Sequence, residues 1–240
     1  METNVSPPAA PSERGRASVA LASVFLSPTR AFREILAGAS WVWGFVVSLV
    51  FGVIAALIQR PYIEVLGQAQ LAQMPEEHRQ AAERMVGAQP TMQVVFTPVI
   101  MAIIFLVSAL VFLGIGRAMG LRLRFKPLFA GMSYAGLITS LGAIVASFLL
   151  RRGALSGSIT AAQDTPRIGL DLVGGEGFVR GILSQFNVFT IWWLVVLVYG
   201  VAVLAGRSPR QALPAVLVAG CLLLVLGGLL AGFSYVSPGS

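Results

Sequence analysis

Few residues in this sequence have a type and spacing that could support chemistry. His78 is the only histidine, and it follows Glu76 and Glu77 directly in the chain. An imidazole beside two carboxylates could bind a metal ion, but zinc geometry needs a second imidazole or a thiolate, which this segment lacks. We therefore expect His78 to lie on a solvated helix face, and we predict no metal site, no cofactor and no catalytic residue.

The other candidates are hydroxyl and amide groups inside long apolar segments. A cluster that could line a polar path comprises Ser133, Tyr134, Thr139, Asn187 and Thr190. These segments contain no Asp, Glu, Lys, Arg or His. No serine therefore has an activating base, and an ion-coupled carrier would lack the intramembrane charge that such proteins use. The pattern argues against an enzyme and leaves passive passage of a neutral solute open.

Composition indicates the elements that must hold these residues. Of the 240 residues, 56% are hydrophobic and 11% are charged, whereas soluble domains carry roughly 25% charged residues. Five uncharged segments reach the ~20 residues that span a bilayer. They are residues 39–58, 94–116, 127–150, 187–206 and 212–234. The sequence therefore predicts an all-α, polytopic membrane protein with five transmembrane helices.

The regions between these segments carry further predictions. Pro98, Pro127 and Pro214 fall near the starts of predicted spans, where proline is tolerated, so we expect fairly straight helices. Residues 59–93 and 151–186 are expected to be loops. In the first loop a charged helix should start at Glu76 after Pro75. The second loop is rich in Gly, Ser and Thr.

The N-terminal region is predicted to combine a tail with a short helix. Residues 1–16 are expected to be a disordered tail, and residues 17–238 a single transmembrane domain. Ser27 and Pro28 form a helix start signal, and Phe32, Ile35 and Leu36 recur on one side of the helix that follows. This pattern indicates an amphipathic helix in the cytoplasmic interface, or alternatively a helical lead-in to the first span.

The distribution of Lys and Arg predicts the orientation. The N-terminal segment and the loops after the second and fourth spans hold ten basic and three acidic residues, whereas the other connections hold seven of each. By the positive-inside rule the N-terminus is cytoplasmic and the C-terminus extracytoplasmic. These charges flank the spans and form no patch with interleaved aromatic residues, so nucleic acid is not an expected partner. A candidate interaction surface for anionic lipid headgroups or other membrane proteins comprises Arg30, Arg33, Arg117, Arg122, Arg124 and Lys126.

Small residues repeat every four positions in the first predicted span. Gly44, Ser48, Gly52 and Ala56 lie on one helix face. Such a face lets another helix approach closely in a membrane. It predicts either packing within one protomer or formation of a homo-oligomer.

Several motifs resemble one family of membrane proteins. Residues 24–32 read Val-Phe-Leu-Ser-Pro-Thr-Arg-Ala-Phe and are followed by Trp43. Residues 132–136 read Met-Ser-Tyr-Ala-Gly, and residues 187–192 read Asn-Val-Phe-Thr-Ile-Trp before Gly200 and Ser208. In order and spacing, over residues 19–233, they resemble the bacterial branch of the Yip (Ypt/Rab-interacting protein) family.

The resemblance implies five spans, a cytosolic N-terminus, a bacterial inner membrane and no enzymatic activity. Eukaryotic relatives contact small GTPases and shape membranes. The Asp-Leu-Tyr-Gly-Pro motif of those relatives is absent here. The resemblance therefore implies a membrane role without implying GTPase binding.

Two functional hypotheses follow. The first is an interaction or membrane-organising scaffold that works through the basic surface and the small-residue face. The second is a small passive transporter or channel for a neutral solute. In a transporter the polar cluster must converge on one cavity. In a scaffold these groups would instead lie apart and form hydrogen bonds between helices.

Overall fold

The computed structural model describes residues 12–72, 74–156, 169–174 and 177–232. This part of the chain forms eight α-helices, one 3₁₀ turn (Leu170–Val173) and no β-strand. The helices are α1 (Glu13–Ser23), α2 (Pro28–Leu36), α3 (Trp41–Ala72), α4 (Glu76–Ala118), α5 (Phe125–Leu155), α6 (Gly177–Gln185), α7 (Val188–Ala205) and α8 (Pro209–Gly232). The predicted all-α fold is confirmed.

Five of the helices, α3, α4, α5, α7 and α8, are long and apolar enough to cross a membrane. They coincide with the five predicted segments or include most of each. Large apolar side chains such as Phe96, Ile100 and Ile103 of α4 are about half exposed. A broad exposed apolar surface of this kind is what lipid covers. The chain is a multi-pass membrane protein.

α3 and α4 exceed their predicted lengths the most, and α5, with 31 residues, is also longer than its predicted segment. α3 has 32 residues and α4 has 43. At ~1.5 Å per residue these helices are about 48 and 65 Å long, against ~30 Å of hydrocarbon. Residues 59–93 were expected to be a loop, but they continue both helices as a hairpin in which Gly67 packs against Val86. The helix that starts at Glu76 after Pro75 is present as predicted, and it continues without a break into the second span.

Proline positions differ from expectation. Pro98 lies well inside α4, because that helix begins at Glu76, and Pro214 lies inside α8. Of these three prolines, Pro127 alone falls in the first turn of its helix. Pro61 and Pro90 also lie inside helices. An interior proline removes one backbone hydrogen bond. These helices are therefore continuous, but each lacks a backbone hydrogen bond at its interior prolines.

The N-terminal region is helical from Glu13 onward. The assignment of residues 1–16 to a disordered tail is therefore wrong for residues 13–16, whereas residues 1–11 lie outside the described part. α2 forms at the predicted position, with Pro28 as its first residue. Its apolar residues Ala31, Phe32 and Ile35 are buried in the protein core. The helix docks on the bundle through Ala31, Phe32 and Ile35, whereas Leu36, the third residue of the predicted apolar face, is about half exposed.

The bundle is a ring of four helices with a fifth outside. Each of α4, α5, α7 and α8 contacts the next, and α8 contacts α4. α3 packs outside this ring against α5 and α4, and its contact with α5 is the most extensive in the molecule. We call the end that carries α2 and the α4–α5 and α7–α8 connections the basic end. The opposite end, which carries α6, is the α6 end.

α6 was not predicted. It lies in the connection that was expected to be a Gly-, Ser- and Thr-rich loop, and it packs against α8. A Cβ placed on Gly228 would lie 2.5 Å from the Cα atom of Ile182. Gly169 forms an antiparallel bridge with Asn187, which fixes the end of this connection to the start of α7.

Candidate functional site

The ring of four helices surrounds a cavity of about 420 Å³ that is partly open to the outside. Its wall is mostly apolar, with Phe105 from α4, Met132 from α5 and Trp193 from α7. No charged side chain of the described residues lines it. Its polar lining residues are Ser108, Thr139, Gln185, Asn187 and Thr190.

The predicted polar cluster divides into two groups. Thr139, Asn187 and Thr190 line the cavity. Ser133 and Tyr134 do not, because both are engaged in packing. The Ser133 hydroxyl donates to the Phe129 carbonyl (3.0 Å), and the Tyr134 hydroxyl donates to the Ser40 carbonyl (2.8 Å).

Hydrogen bonds inside the cavity leave several polar groups available. The Asn187 side-chain oxygen accepts from the backbone N–H groups of Phe189 (3.0 Å) and Thr190 (3.1 Å), so it caps α7 and leaves its amide N–H groups for another partner. The Thr139 hydroxyl donates to the Gly136 carbonyl at 2.9 Å. Ser108 and Thr190 are each only 8% exposed. Within the described part of the chain, neither of these two hydroxyls forms a hydrogen bond.

Sequence reasoning did not include Ser108 or Gln185 in the cluster. Ser108 is one of several span hydroxyls with no distinguishing neighbour in sequence. Gln185 ends α6, a helix that was not predicted. Only the arrangement of the ring brings these residues to the cavity.

The cavity does not cross the bundle. Toward the basic end, Phe112 of α4, Val196 and Leu197 of α7 and Val216 of α8 are at most 2% exposed and belong to one packed core. The cavity therefore extends from the middle of the bundle toward the α6 end, where Gln185 and Asn187 lie. In this conformation it is a pocket and not a pore.

The six residues of the predicted basic surface lie at the basic end. Arg117 donates through Nε and Nη2 to the Leu123 carbonyl, at 3.2 and 3.1 Å, and so braces the α4–α5 connection. Arg122, Arg124 and Lys126 are exposed beside it. Leu121 and Leu123 bury their side chains in the same core as Phe32 of α2, so both cationic segments are anchored to the bundle at this end.

A groove of about 560 Å³ lies on one side of α2. Arg30 and Arg33 line it, together with Phe25, Trp192 and Tyr199. The rings of Phe25 and Trp192 have centroids 5.7 Å apart. Two guanidinium groups thus stand beside an aromatic wall.

The small-residue face of α3 is occupied within the chain. A Cβ on Gly44 would lie 2.8 Å from the Tyr134 ring, and one on Gly52 would lie 2.8 Å from the Met101 sulfur. The Ser48 hydroxyl donates to the Ser133 carbonyl at 3.0 Å, and Ala56 is buried. A homo-oligomer would therefore have to use another surface.

His78 is exposed on α4. Among the described residues, no group of three or more His, Cys, Asp or Glu side chains is arranged to hold a metal ion.

Comparison with known proteins gives one match. The model of the Yip1 domain family matches residues 22–232, which is most of the chain. The chain belongs to the Yip1 domain family. No curated protein and no solved structure matches it. Proteins of the Yip family are not known as enzymes.

In this Yip1 domain the motifs that carry the family resemblance pack helices together. Phe32 inserts its ring between Gly131 of α5 and Gly200 of α7, where added Cβ atoms would lie 2.5 and 2.3 Å from the ring. Tyr134 binds the residue that precedes the first span, and Asn187 caps α7. These contacts dock α2 on α5 and α7, tie α5 to the start of α3 and cap α7.

Proposed function

We propose that this Yip1 domain is a non-enzymatic scaffold whose basic end docks an acidic partner at a membrane surface. The observation that carries the proposal is that six cationic residues from two separate segments lie at the same end of the bundle. None of the six forms an ion pair with another residue in the described part of the chain. Arg117 is engaged with the Leu123 carbonyl, and the other five are exposed cations that can bind carboxylates or phosphates.

The fold supports this role by holding the two segments rigidly. α2 is anchored through buried Phe32 and Ile35, and the α4–α5 connection is anchored through buried Leu121 and Leu123. The charges are therefore presented on a fixed surface, which lowers the entropy cost of binding. We place the basic end in the cytoplasm of a bacterium, with the protein in the inner membrane, because positive residues collect on the cytoplasmic side.

The first test is crosslinking in native membranes, followed by purification through an N-terminal tag and mass spectrometry. One variant carries Arg122, Arg124 and Lys126 each changed to Glu. The matched control carries Arg151→Glu and Arg152→Glu, which reverse charges at the α6 end. We expect one stoichiometric partner that is lost only in the first variant, provided that protease accessibility shows unchanged topology.

A second arm separates a protein partner from lipid. The purified protein is reconstituted in neutral vesicles, and its binding to added anionic vesicles is compared for the same variants. If crosslinking and vesicle binding are both unaffected by the reversal at the basic end, this surface is not the functional one.

The cavity favours a second candidate function, passive passage of a neutral solute. Thr139, Asn187 and Thr190 converge on it, as a polar path requires, but packed apolar side chains close its inner end. Swelling of proteoliposomes in urea or glycerol tests this function. Swelling no faster than in protein-free liposomes would exclude it for these solutes.

A further inference from the structure

We infer that the cavity between α4, α5, α7 and α8 binds one neutral amphiphile, a molecule with a hydrocarbon chain and an uncharged, hydrogen-bonding head such as an ester or an alcohol. The inference is independent of the proposed scaffold role, because it concerns the opposite half of the bundle. Three properties of the cavity carry it.

The first property is a pair of buried hydroxyls without partners. Ser or Thr in a helix usually donates to the carbonyl four residues earlier, as Thr97 does to Gln93 and Ser133 does to Phe129. Ser108 and Thr190 make no such bond, although each is 92% buried, and both line the cavity. Their hydroxyl oxygens are not among the fully buried side-chain atoms that lack a partner, so they face the space of the cavity. A ligand with a hydrogen-bonding head therefore finds two hydroxyls that no other described residue occupies.

The second property is the chemistry of the wall. Most of the lining is apolar, and it includes Phe105, Met132 and Trp193. A hydrocarbon chain is the natural occupant of such a wall within a bilayer. Among the described residues no charged side chain lines the cavity, so within this part of the protein a carboxylate, phosphate or ammonium group would have no counterion. The head of the ligand must therefore be neutral.

The third property is the arrangement of polar and apolar ends. Gln185 and Asn187 stand at the α6 end, and the Asn187 amide N–H groups are available as donors. The deep end is closed by the apolar core. A ligand fits this arrangement if its polar head lies at the α6 end and its hydrocarbon chain points toward the middle of the bundle. The volume of about 420 Å³ lies within the ~300–1,000 Å³ typical of small-molecule sites.

Photolabelling in proteoliposomes tests the inference. The probe is a monoacylglycerol with a diazirine in its acyl chain. It is compared with a diazirine fatty acid at a pH where the acid is ionised, and with a diazirine alkane that has no head. We expect the monoacylglycerol to label peptides from residues 132–146 and 185–193 selectively, with excess unlabelled monoacylglycerol as competitor. If all three probes labelled the protein equally and over the exposed face of α4, they would be bound only as lipid around the protein. That result would overturn the inference.

Two pairs of variants locate the site. Ala146→Phe fills the cavity, and Val145→Phe adds the same ring on the exposed face of α5 outside it. Thr190→Val removes an unpartnered hydroxyl of the cavity, and Thr97→Val removes a hydroxyl that is already bonded to Gln93 and lies outside the cavity. We expect loss of selective labelling in Ala146→Phe, and about 2- to 10-fold weaker competition in Thr190→Val.

The controls should behave as the wild type does. Size-exclusion profiles and thermal stability establish that the variants fold. If Ala146→Phe does not fold, the near-isosteric Thr190→Val still decides the question. Unchanged competition in Thr190→Val, or equal weakening in Thr97→Val, would overturn the assignment of the polar head to Thr190. Organic extraction of the purified protein and mass spectrometry then identify whether an ester lipid or an alcohol is the native occupant.

Discussion

Phe32 is the residue whose replacement should most directly test how the N-terminal helices are held. Its side chain is fully buried, with its ring between Gly131 and Gly200. Phe→Ala in a packed core costs about 3–5 kcal/mol, because apolar contact is lost and a cavity remains. Only α1 and α2 depend on this contact, since the spans are held by the bilayer and by one another. We therefore expect Phe32→Ala to undock α2 while the bundle persists.

Proteolysis by trypsin measures this undocking, because Arg30 and Arg33 are cleavage sites within α2. When reclosing is fast, the cleavage rate follows the population of the open form. If Phe32→Ala weakens the docking of α2 by 3 kcal/mol or more, the cleavage rate should rise about 100-fold or more, at roughly 1.4 kcal/mol per factor of ten. Leu36→Ala on the same helix is the matched control, because Leu36 is 49% exposed. Its effect should stay within about 0.5 kcal/mol.

The same contact can be perturbed from the other side. A Cβ on Gly200 would lie 2.3 Å from the Phe32 ring, whereas one on Gly114 meets nothing within 4 Å. Gly200→Ala should therefore raise cleavage in α2, and Gly114→Ala should not. If Phe32→Ala and Leu36→Ala gave equal cleavage rates, α2 would rest on lipid, and the docking argument would be refuted.

Two further predictions concern the bundle. Asn187→Ala should lower the free energy of unfolding by about 0.5–2 kcal/mol in thermal unfolding, because the cap of α7 is lost. Asn187→Ser retains a capping oxygen and should recover most of this free energy. Equal losses of stability in the two variants would contradict the capping role. Gly44→Ala should lower the melting temperature, because its Cβ would lie 2.8 Å from the Tyr134 ring. Gly114→Ala is again the control, and unchanged melting in both would show that α3 and α5 can separate at little cost.

The sequence was sufficient to predict the spans, because uncharged runs of about twenty residues have a direct physical meaning in a bilayer. It did not predict that α3 and α4 continue far beyond the membrane. Residues 59–93 carry charges and three prolines, and these features normally mark loops. The structure shows that helix–helix contact, with Gly67 against Val86, holds this segment helical.

The polar cluster was predictable only in part. Hydroxyls within spans can be listed from sequence, but the direction in which each one points depends on helix rotation. Tyr134 and Thr139 lie five positions apart on α5, yet one binds Ser40 and the other lines the cavity. The amphipathic pattern of α2 predicted the buried positions Phe32 and Ile35, but Leu36 of the same predicted face is 49% exposed. It could not tell whether lipid or protein covers that face, because both are apolar partners.

The two concave sites share one helix but face different sides of it. Trp192 of α7 lines the groove beside Arg30 and Arg33, and the adjacent Trp193 lines the cavity. Consecutive helix residues point about 100° apart. α7 therefore contributes different side chains to the groove and to the cavity. The groove has cations and suits an acidic partner, whereas the cavity has only neutral polar groups and suits a neutral ligand. Charge reversal at the basic end should therefore leave amphiphile labelling unchanged, and filling the cavity should leave partner crosslinking unchanged, so each proposal can fail without the other.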